Sequence, residues 1–400
     1  MKHIYLDNAA STKTDKAVRR AMDSVMQNLY ANPSSFNELG RLARKELDRA
    51  RLKVARFLSA RENEIIFTSS GSEANTLAFI GLANAHPTKK RIIISAVEHT
   101  SIIESANLLR KKGYTIDVLG VDEYGKVNPY ELEKKLGKDV LLVSVMMANN
   151  EVGTIQPVID IGKKIEQFLK KSGQLYPLFH IDACQAAGLL NINPNRLKAD
   201  LLTFNGAKIY GPKGCGVLYV RKGVGLSPVI VGGGQELGMR AGTENLPAIA
   251  GLAKAVEIIP KINSKRITTL RDFFISRVQE LISDAKLNGP RDEERLANNI
   301  NLSFKDLESE AILVELDKYG IYAGSGSACT SRSVEPSHVL KAMGVSPEYL
   351  DGAVRFSLGK ETTKKDIEYT IKTLSKVIQS LRTRYGKGIE KRQNPGTIKR

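Results

Sequence analysis

The first half of the chain alternates short apolar runs with helical stretches, and this pattern constrains the fold more than any other feature. The runs are Glu64–Thr68, Arg91–Ser95, Leu141–Met146, Leu178–Asp182, Leu201–Phe204 and Gly216–Val220. They are rich in Ile, Val, Leu and Phe and bounded by Gly, Ser or Asn, which reads as buried strands. Helical patterns lie between them at Ser72–Ala85, Thr100–Lys112, Pro129–Lys135 and Val158–Ser172. Apolar strands separated by helices predict an α/β fold with a mainly parallel sheet covered on both faces. The runs 201–204 and 216–220 are too close for a crossover helix and predict an antiparallel pair at one edge. A helix over Leu246–Ile259 ends at Pro260, and the pattern then changes. Helices at Ser264–Asp284, Ser309–Lys318 and Lys364–Arg382, with strands at Asn299–Phe304, Gly320–Ala323 and Val354–Ser357, predict a smaller α+β C-terminal domain. The expected organisation is an N-terminal segment 1–14 packing on the small domain, a large domain 15–259, a small domain 260–382 and a basic, flexible tail 383–400.

Composition excludes several classes. With 42% hydrophobic and 26% charged residues, wholesale disorder is out. No apolar run approaches the ~18–20 residues of a membrane span. Met1–Asp7 carries an early acid and no long apolar region, so it does not read as a signal peptide. Three cysteines, none in a Cys-x-x-Cys spacing, exclude a disulfide framework and a cysteine zinc site. The expected compartment is a reducing cytoplasm. The formal charge of +17 favours acidic partners, RNA among them, but no RNA-binding motif is present. A solvated lysine-rich surface is the commoner reading of such a surplus.

Three motifs carry chemistry together. Lys208, in Asn205-Gly206-Ala207-Lys208-Ile209-Tyr210-Gly211, lies in a glycine-dense turn between two apolar strands. Desolvation there would favour the neutral amine, which can form a Schiff base. Asp182 closes the strand Leu178–Asp182, and carboxyl ends of parallel strands are where α/β sheets bind ligands. A carboxylate placed there suits a pyridinium nitrogen. Phe67-Thr68-Ser69-Ser70-Gly71-Ser72 runs from a strand into a helix start, where free N–H groups and the dipole suit a phosphate; Gly71 permits close approach and Ser72 adds a hydroxyl. Lysine, aspartate and phosphate cradle together point to pyridoxal 5'-phosphate (PLP). His99 follows a strand and could lie over the cofactor ring. Asn150 follows another, where its amide could reach the cofactor or a substrate carboxylate. The stretch from Gly232 to Asn245 could supply a second phosphate contact, and Arg355 could fork a substrate carboxylate. Cys329 lies in the small-residue stretch Gly324-Ser325-Gly326-Ser327-Ala328-Cys329-Thr330-Ser331. A cysteine on a polar, flexible loop is a candidate nucleophile, whereas Cys184 and Cys215 read as structural.

From Tyr5-Leu6-Asp7-Asn8-Ala9-Ala10 to about Lys376 the chain resembles the cysteine desulfurases of the IscS/NifS type, within the class V PLP-dependent aminotransferase family. His180-Ile181-Asp182-Ala183-Cys184-Gln185, the Lys208 motif and Ser325–Ser331 carry the resemblance most specifically. It implies the type I fold of PLP-dependent transferases and conversion of L-cysteine to L-alanine, with a persulfide formed on Cys329. Lys208 would carry PLP, Asp182 would pair with its ring nitrogen and His99 would stack on it. Gly71, Ser72, Asn150, Gln185, Asn205 and Thr243 match cofactor contacts, Thr243 across a homodimer interface. Asn150 and Arg355 match substrate contacts. The implied sulfur acceptors are an iron–sulfur scaffold protein or a tRNA-thiolation partner. No intrinsic metal is implied, although Cys329 could transiently ligate a cluster held with a scaffold. The chain departs from the family's usual Ser-x-His-Lys at Asn205 and Ala207, and from a common arginine at Leu237. The rival readings are another class V enzyme, such as an aminotransferase or selenocysteine lyase, and a basic RNA- or partner-binding protein on the same scaffold.

Overall fold

In a computed structural model of the chain, residues 3–259, 263–326 and 336–393 are described, with side chains through 384. They form two compact units. One holds Ser11–Asn150 and the chain from Thr154 into the helix Leu246–Ile258; the other holds the residues through Ala10, Glu151–Gly153 and the chain from Asn263 onward.

The first unit is built on a seven-stranded sheet in the order Ile65–Thr68, Gly216–Val220, Leu201–Asn205, Leu178–Asp182, Val140–Ser144, Arg91–Ser95, Thr115–Leu119. All neighbours are parallel except at Gly216–Val220, which is antiparallel to both of its partners. The 201–205 and 216–220 strands therefore pair as expected, but not at an edge. Ile65–Thr68 lies outside them, with Phe67 opposite Val217. Gly216–Val220 is buried along its whole length, and an apolar strand of that kind needs cover on both sides. The strand Thr115–Leu119 escapes the sequence reading because only its last residue is fully buried. It holds the opposite edge, where Asp117 accepts from Arg91 at 2.6 Å.

Local chemistry fixes the helices around this sheet. Asn37 caps the helix Glu38–Leu58 by accepting from the Gly40 N–H at 2.8 Å, and the left-handed Ser59 (φ 54°) ends it. The helix Leu246–Ile258 is apolar nearly all round and packs against both Lys16–Asn28 and Glu38–Leu58. A Cβ on Gly251 would stand 2.7 Å from Met22 Cγ, so glycine is what lets those helices approach. Residues 11–14 belong to this unit because Thr12 N donates to Ala207 O at 2.8 Å and Tyr210 N donates to Thr12 Oγ1 at 2.7 Å.

The second unit carries a four-stranded antiparallel sheet, ordered Gly324–Ser325, Ala353–Ser357, Asn299–Phe304, Ala285–Leu287. Ile4–Tyr5 pairs in parallel with Ile321–Tyr322 as a separate ribbon. The helices Ser264–Leu281 and Ser309–Asp317 pack on the last helix. That helix runs Lys364–Gln393, past the Arg382 end read from sequence. Gly386 and Gly388 weaken a helix without stopping it, and Pro395 lies beyond its end. Among the described residues no helix is long and apolar enough to cross a membrane.

Candidate active site

Because six of the seven strands point one way, Thr68, Ser95, Ser144, Asp182 and Asn205 all end at the same edge of the sheet. That edge gathers the polar residues of the first unit. Asp182 is 5% exposed. Its Oδ1 accepts from the Cys184 N–H at 2.9 Å, and its Oδ2 accepts from Asn75 Nδ2 at 2.8 Å. Both donors are neutral, so they orient the carboxylate without neutralising it.

The helix Gly71–Thr76 starts beside this carboxylate, with Ser70 Oγ capping the Glu73 N–H at 3.1 Å. A Cβ on Gly71 would stand 2.8 Å from Cys184 Sγ and 2.9 Å from Asn205 Nδ2. Glycine is therefore required by space, and the helix start, Cys184 and Asn205 form one tight wall. Ser72, the next residue, is exposed. Asn205 is buried, with its Nδ2 facing Gly71 and its Oδ1 without a partner. Lys208 ends the short turn Gly206–Lys208 and is half-buried. Its charge is felt at Cys184: burial and then Asp182 push that thiol well above its ordinary range, while Lys208 and an Asn205 hydrogen bond pull against them. Cys184 is thus a neutral packing group inside the cradle, where the sequence placed it in the core. Ala207 offers its carbonyl to Thr12 and lines no polar contact with its side chain.

His99 caps the helix Thr100–Lys111 with its ring. Nδ1 accepts from the Ser101 N–H at 3.1 Å and lies 2.8 Å from Ser101 Oγ. An accepting Nδ1 fixes the neutral tautomer with the proton on Nε2. Next to it Glu98 is fully buried, accepting from Ser95 Oγ at 2.5 Å and the Met146 N–H at 2.8 Å. Burial pushes its carboxyl up to about 8 despite those bonds, with the Asp182 charge adding to the rise. Burial also pushes His180, on the Asp182 strand, down to about 4 against the pull of Asp182. Asn149 is tied to Val97 O at 2.9 Å, and half-buried Asn150 follows it. Gln185 is half-buried in the turn after Asp182.

Thr243 is exposed on the loop before the helix Leu246–Ile258 and lines a cavity of about 190 Å³ with Thr68, Ser69 and Arg240. Two buried or half-buried ion pairs hold this loop. Arg51 meets Glu236 through two bonds of 2.7 and 2.8 Å, and Glu236 also accepts from the Phe67 N–H at 2.8 Å. Arg240 meets Glu73 at 2.9 Å. Leu237 has a left-handed backbone (φ 59°) and is exposed.

In the second unit Arg355 is 2% exposed, and its Nη2 donates to Asp7 Oδ1 at 2.8 Å. Cys329 lies outside the described residues. The first unit therefore brings together Gly71, Ser72, His99, Asp182, Gln185, Asn205 and Lys208 around one sheet edge. Sequence reasoning missed Asn75 and Ser101. The signal was present, since Gly71 and Asn75 are four apart and share a helix face.

The residues fit a PLP-type group. A phosphate needs a helix start with no side chain in the way, which Gly71 supplies. A pyridinium needs a buried carboxylate held by neutral donors, which Asp182 supplies. A Schiff base needs a nearby amine, which Lys208 supplies. Among the described residues no cluster of His, Cys, Asp or Glu has a metal-binding arrangement.

Comparison with known proteins agrees with this geometry. The aminotransferase class V family profile matches residues 4–370. A relative from Dictyoglomus turgidum, named cysteine desulfurase IscS, is 46% identical over 386 residues, covering 96% of each chain. Another of the same name, from Methanosarcina thermophila, is 43% identical over 95% of this chain and 93% of its own. A solved structure named NifS-like protein superposes with a TM-score of 0.87 at 35% identity, covering 94% of this chain and all of its own. SspA in complex with cysteine gives a TM-score of 0.77 at 32% identity, over 90% of this chain and all of its own. With the family profile matching residues 4–370 and nearly the full length shared with these relatives, this chain belongs to the class V aminotransferase family, among its cysteine desulfurases of the IscS/NifS type.

Proposed function

We propose that this protein is a PLP-dependent cysteine desulfurase that converts L-cysteine to L-alanine and leaves the sulfur as a persulfide on Cys329. The observation that carries this reading is the convergence of Asp182, Lys208 and the Gly71 helix start at one sheet edge. A structure that superposes on this chain, SspA, is in complex with cysteine, which supports cysteine as substrate.

When bound, PLP supplies an electron sink that weakens bonds at the substrate's α- and β-carbons. The protein's residues do the rest. The Gly71 N–H, its neighbours and the Ser72 hydroxyl would receive the phosphate, with Asn205 beside them. Asp182, held by Asn75 and the Cys184 N–H, would pair with the ring nitrogen. His99 presents its ring in a fixed neutral tautomer, and Gln185 and Asn150 supply neutral amides. Lys208 would hold the cofactor's aldehyde end, and its amine is the group that would take and return a proton at the substrate's α-carbon. Arg355, braced by Asp7, takes the substrate carboxylate. The Cys329 thiolate then bonds to the substrate's sulfur. The carbon–sulfur bond breaks, a proton replaces sulfur on the β-carbon, and alanine leaves.

The Ala207 side chain cannot supply the contact that the family's usual histidine makes in the phosphate cradle, while the Asn205 amide in place of the usual serine can still donate. Thr243, exposed beside the Arg240–Glu73 pair, would reach the phosphate of a second copy in a cytoplasmic homodimer. The persulfide sulfur passes on to an iron–sulfur scaffold or a tRNA-thiolation acceptor. The test is to supply PLP and L-cysteine and measure alanine and sulfide with and without reductant. Alanine in excess of enzyme, with sulfide released on reduction, is expected. No alanine would overturn the reading.

A further inference from the structure

Asp182 and His99 are separated in sequence and sit on different elements, yet one side chain lies between them. Asn75 is 1% exposed, inside the helix that begins at Gly71. Its Nδ2 donates to Asp182 Oδ2 at 2.8 Å and to Ser101 Oγ at 2.9 Å. An amide nitrogen has two protons and no acceptor capacity, so both are committed and their directions are fixed. The flipped amide is excluded by chemistry, because it would set a carbonyl oxygen against the carboxylate. Ser101 Oγ, having accepted from Asn75, lies 2.8 Å from His99 Nδ1 and is its donor. The Ser101 N–H donates to the same nitrogen at 3.1 Å.

Asn75 Oδ1 is buried without a partner. An amide kept only for packing would not leave a buried carbonyl unsatisfied, since an apolar side chain of the same shape would avoid that cost. What the site gains is a pair of N–H groups at a position that faces both Asp182 and Ser101.

Building on the desulfurase reading, we propose that Asn75 is a positioning residue that joins the cofactor's carboxylate partner to the ring-stacking histidine through the chain Asp182–Asn75–Ser101–His99. One N–H turns the Asp182 carboxylate toward the ring nitrogen. The other polarises the Ser101 hydroxyl so that its proton points at His99 Nδ1. The two faces of the cofactor site are thereby set by one amide, which touches neither substrate nor the reacting atoms.

Two readouts test this. The chain has five histidines, so 15N-histidine labelling resolves the His99 imidazole, read with and without added PLP. The visible band of bound PLP reports the Asp182 contact. Asn75→Asp keeps the shape but supplies at most one proton, so it can serve Asp182 or Ser101 and not both. Asn75→Ala supplies none. Both should shift the His99 Nδ1 resonance toward the unbonded position and displace the cofactor band. They should also lower kcat roughly ten- to a hundredfold, the scale of one hydrogen bond to a charged group, with KM little changed. Ser101→Ala, which removes only the middle hydroxyl, should shift the Nδ1 resonance and leave the cofactor band in place. It serves if the Asn75 variants do not fold. A wild-type Nδ1 resonance in Ser101→Ala, or in both Asn75 variants together with a wild-type band, would overturn the proposal. A wild-type protein that shows no band with PLP would instead overturn the desulfurase reading, and the imidazole measurement would still decide the bridge.

Discussion

Adding one methyl at Gly71 should disable the cofactor cradle by a calculable amount. In Gly71→Ala the new carbon would stand 2.8 Å from Cys184 Sγ and 2.9 Å from Asn205 Nδ2, both well inside van der Waals contact. The helix start must back away or both side chains must move. Backing away separates the free N–H groups from a phosphate. Moving Asn205 breaks its bond to the Cys184 thiol. Overpacking of this kind costs about 1–3 kcal/mol, and if the strain falls on the bound state it lowers PLP affinity about five- to 150-fold. The assay is equilibrium dialysis of PLP against wild type, Gly71→Ala, Cys184→Ala and the double variant. Removing Sγ relieves the closer of the two clashes, so the double variant should recover part of the affinity lost by Gly71→Ala. Cys184→Ala alone should bind nearly as wild type. Additive losses in the double variant, or a Gly71→Ala protein that binds PLP like wild type, would refute the steric argument.

Lys208→Ala should lose the visible absorbance of bound PLP together with all turnover, which a spectrum and an alanine assay check. Cys329→Ser should keep the spectrum and its response to L-cysteine yet release no sulfide, because a hydroxyl is a poor sulfur acceptor; wild-type sulfide release would remove Cys329 from its role. Arg51 and Glu236 are 9% and 2% exposed at their side chains, so removing one partner strands a buried charge. Glu236→Gln should cost about 3–5 kcal/mol in denaturant unfolding, and a paired Arg51→Met, Glu236→Leu change should cost less than that single change. His180 is held near 4 in the fold, below its ordinary value. The unfolded chain binds its proton first, so stability present above about 6.5 falls as pH drops toward 4, by roughly 3 kcal/mol for this group. Glu98, held near 8, acts in the opposite sense, with stability lost as pH rises from about 4.5 to 8. Unfolding titrations of His180→Gln should lose the fall between about 6.5 and 4, and those of Glu98→Gln the fall between about 4.5 and 8.

Residue spacing revealed much of this fold and site, and the parts that stayed hidden have physical reasons. The parallel strands were readable because burial on both faces makes them continuous apolar runs, as in Val140–Ser144, where every residue is buried. Thr115–Leu119 was not, because an edge strand keeps polar residues such as Thr115 and Asp117. The central position of Gly216–Val220 was not either, since sequence proximity fixes which strand it pairs with on one side only. Asp182 and Gly71 could be found because one ends a strand and the other begins a helix at the edge where α/β sheets bind ligands, and Lys208 because it lies in a glycine-dense turn just after a strand. Cys184 reads as structural from sequence. Its surroundings are polar, with Asp182 and Asn205 beside it, and only the fold puts its sulfur against Gly71.

The charges around Asp182 give the arrangement its logic. Three of the four titratable groups that act on it or on the adjacent thiol are kept uncharged near neutral pH by burial. Glu98 holds its proton, His180 stays neutral, and Cys184 remains a thiol. The fourth, Lys208, is the group that would lose its ammonium form on carrying the cofactor. Asp182 is bonded by an amide and a backbone N–H, neither of which supplies a positive charge. A buried carboxylate so surrounded is most stable when a cation enters beside it, and a pyridinium is such a cation. Replacing Asn75 or the Cys184 environment with a basic residue would supply that cation from the protein. The ring nitrogen would then face a satisfied carboxylate, so on the proposed reading the same neutrality that makes Asp182 costly to bury would reserve it for the cofactor.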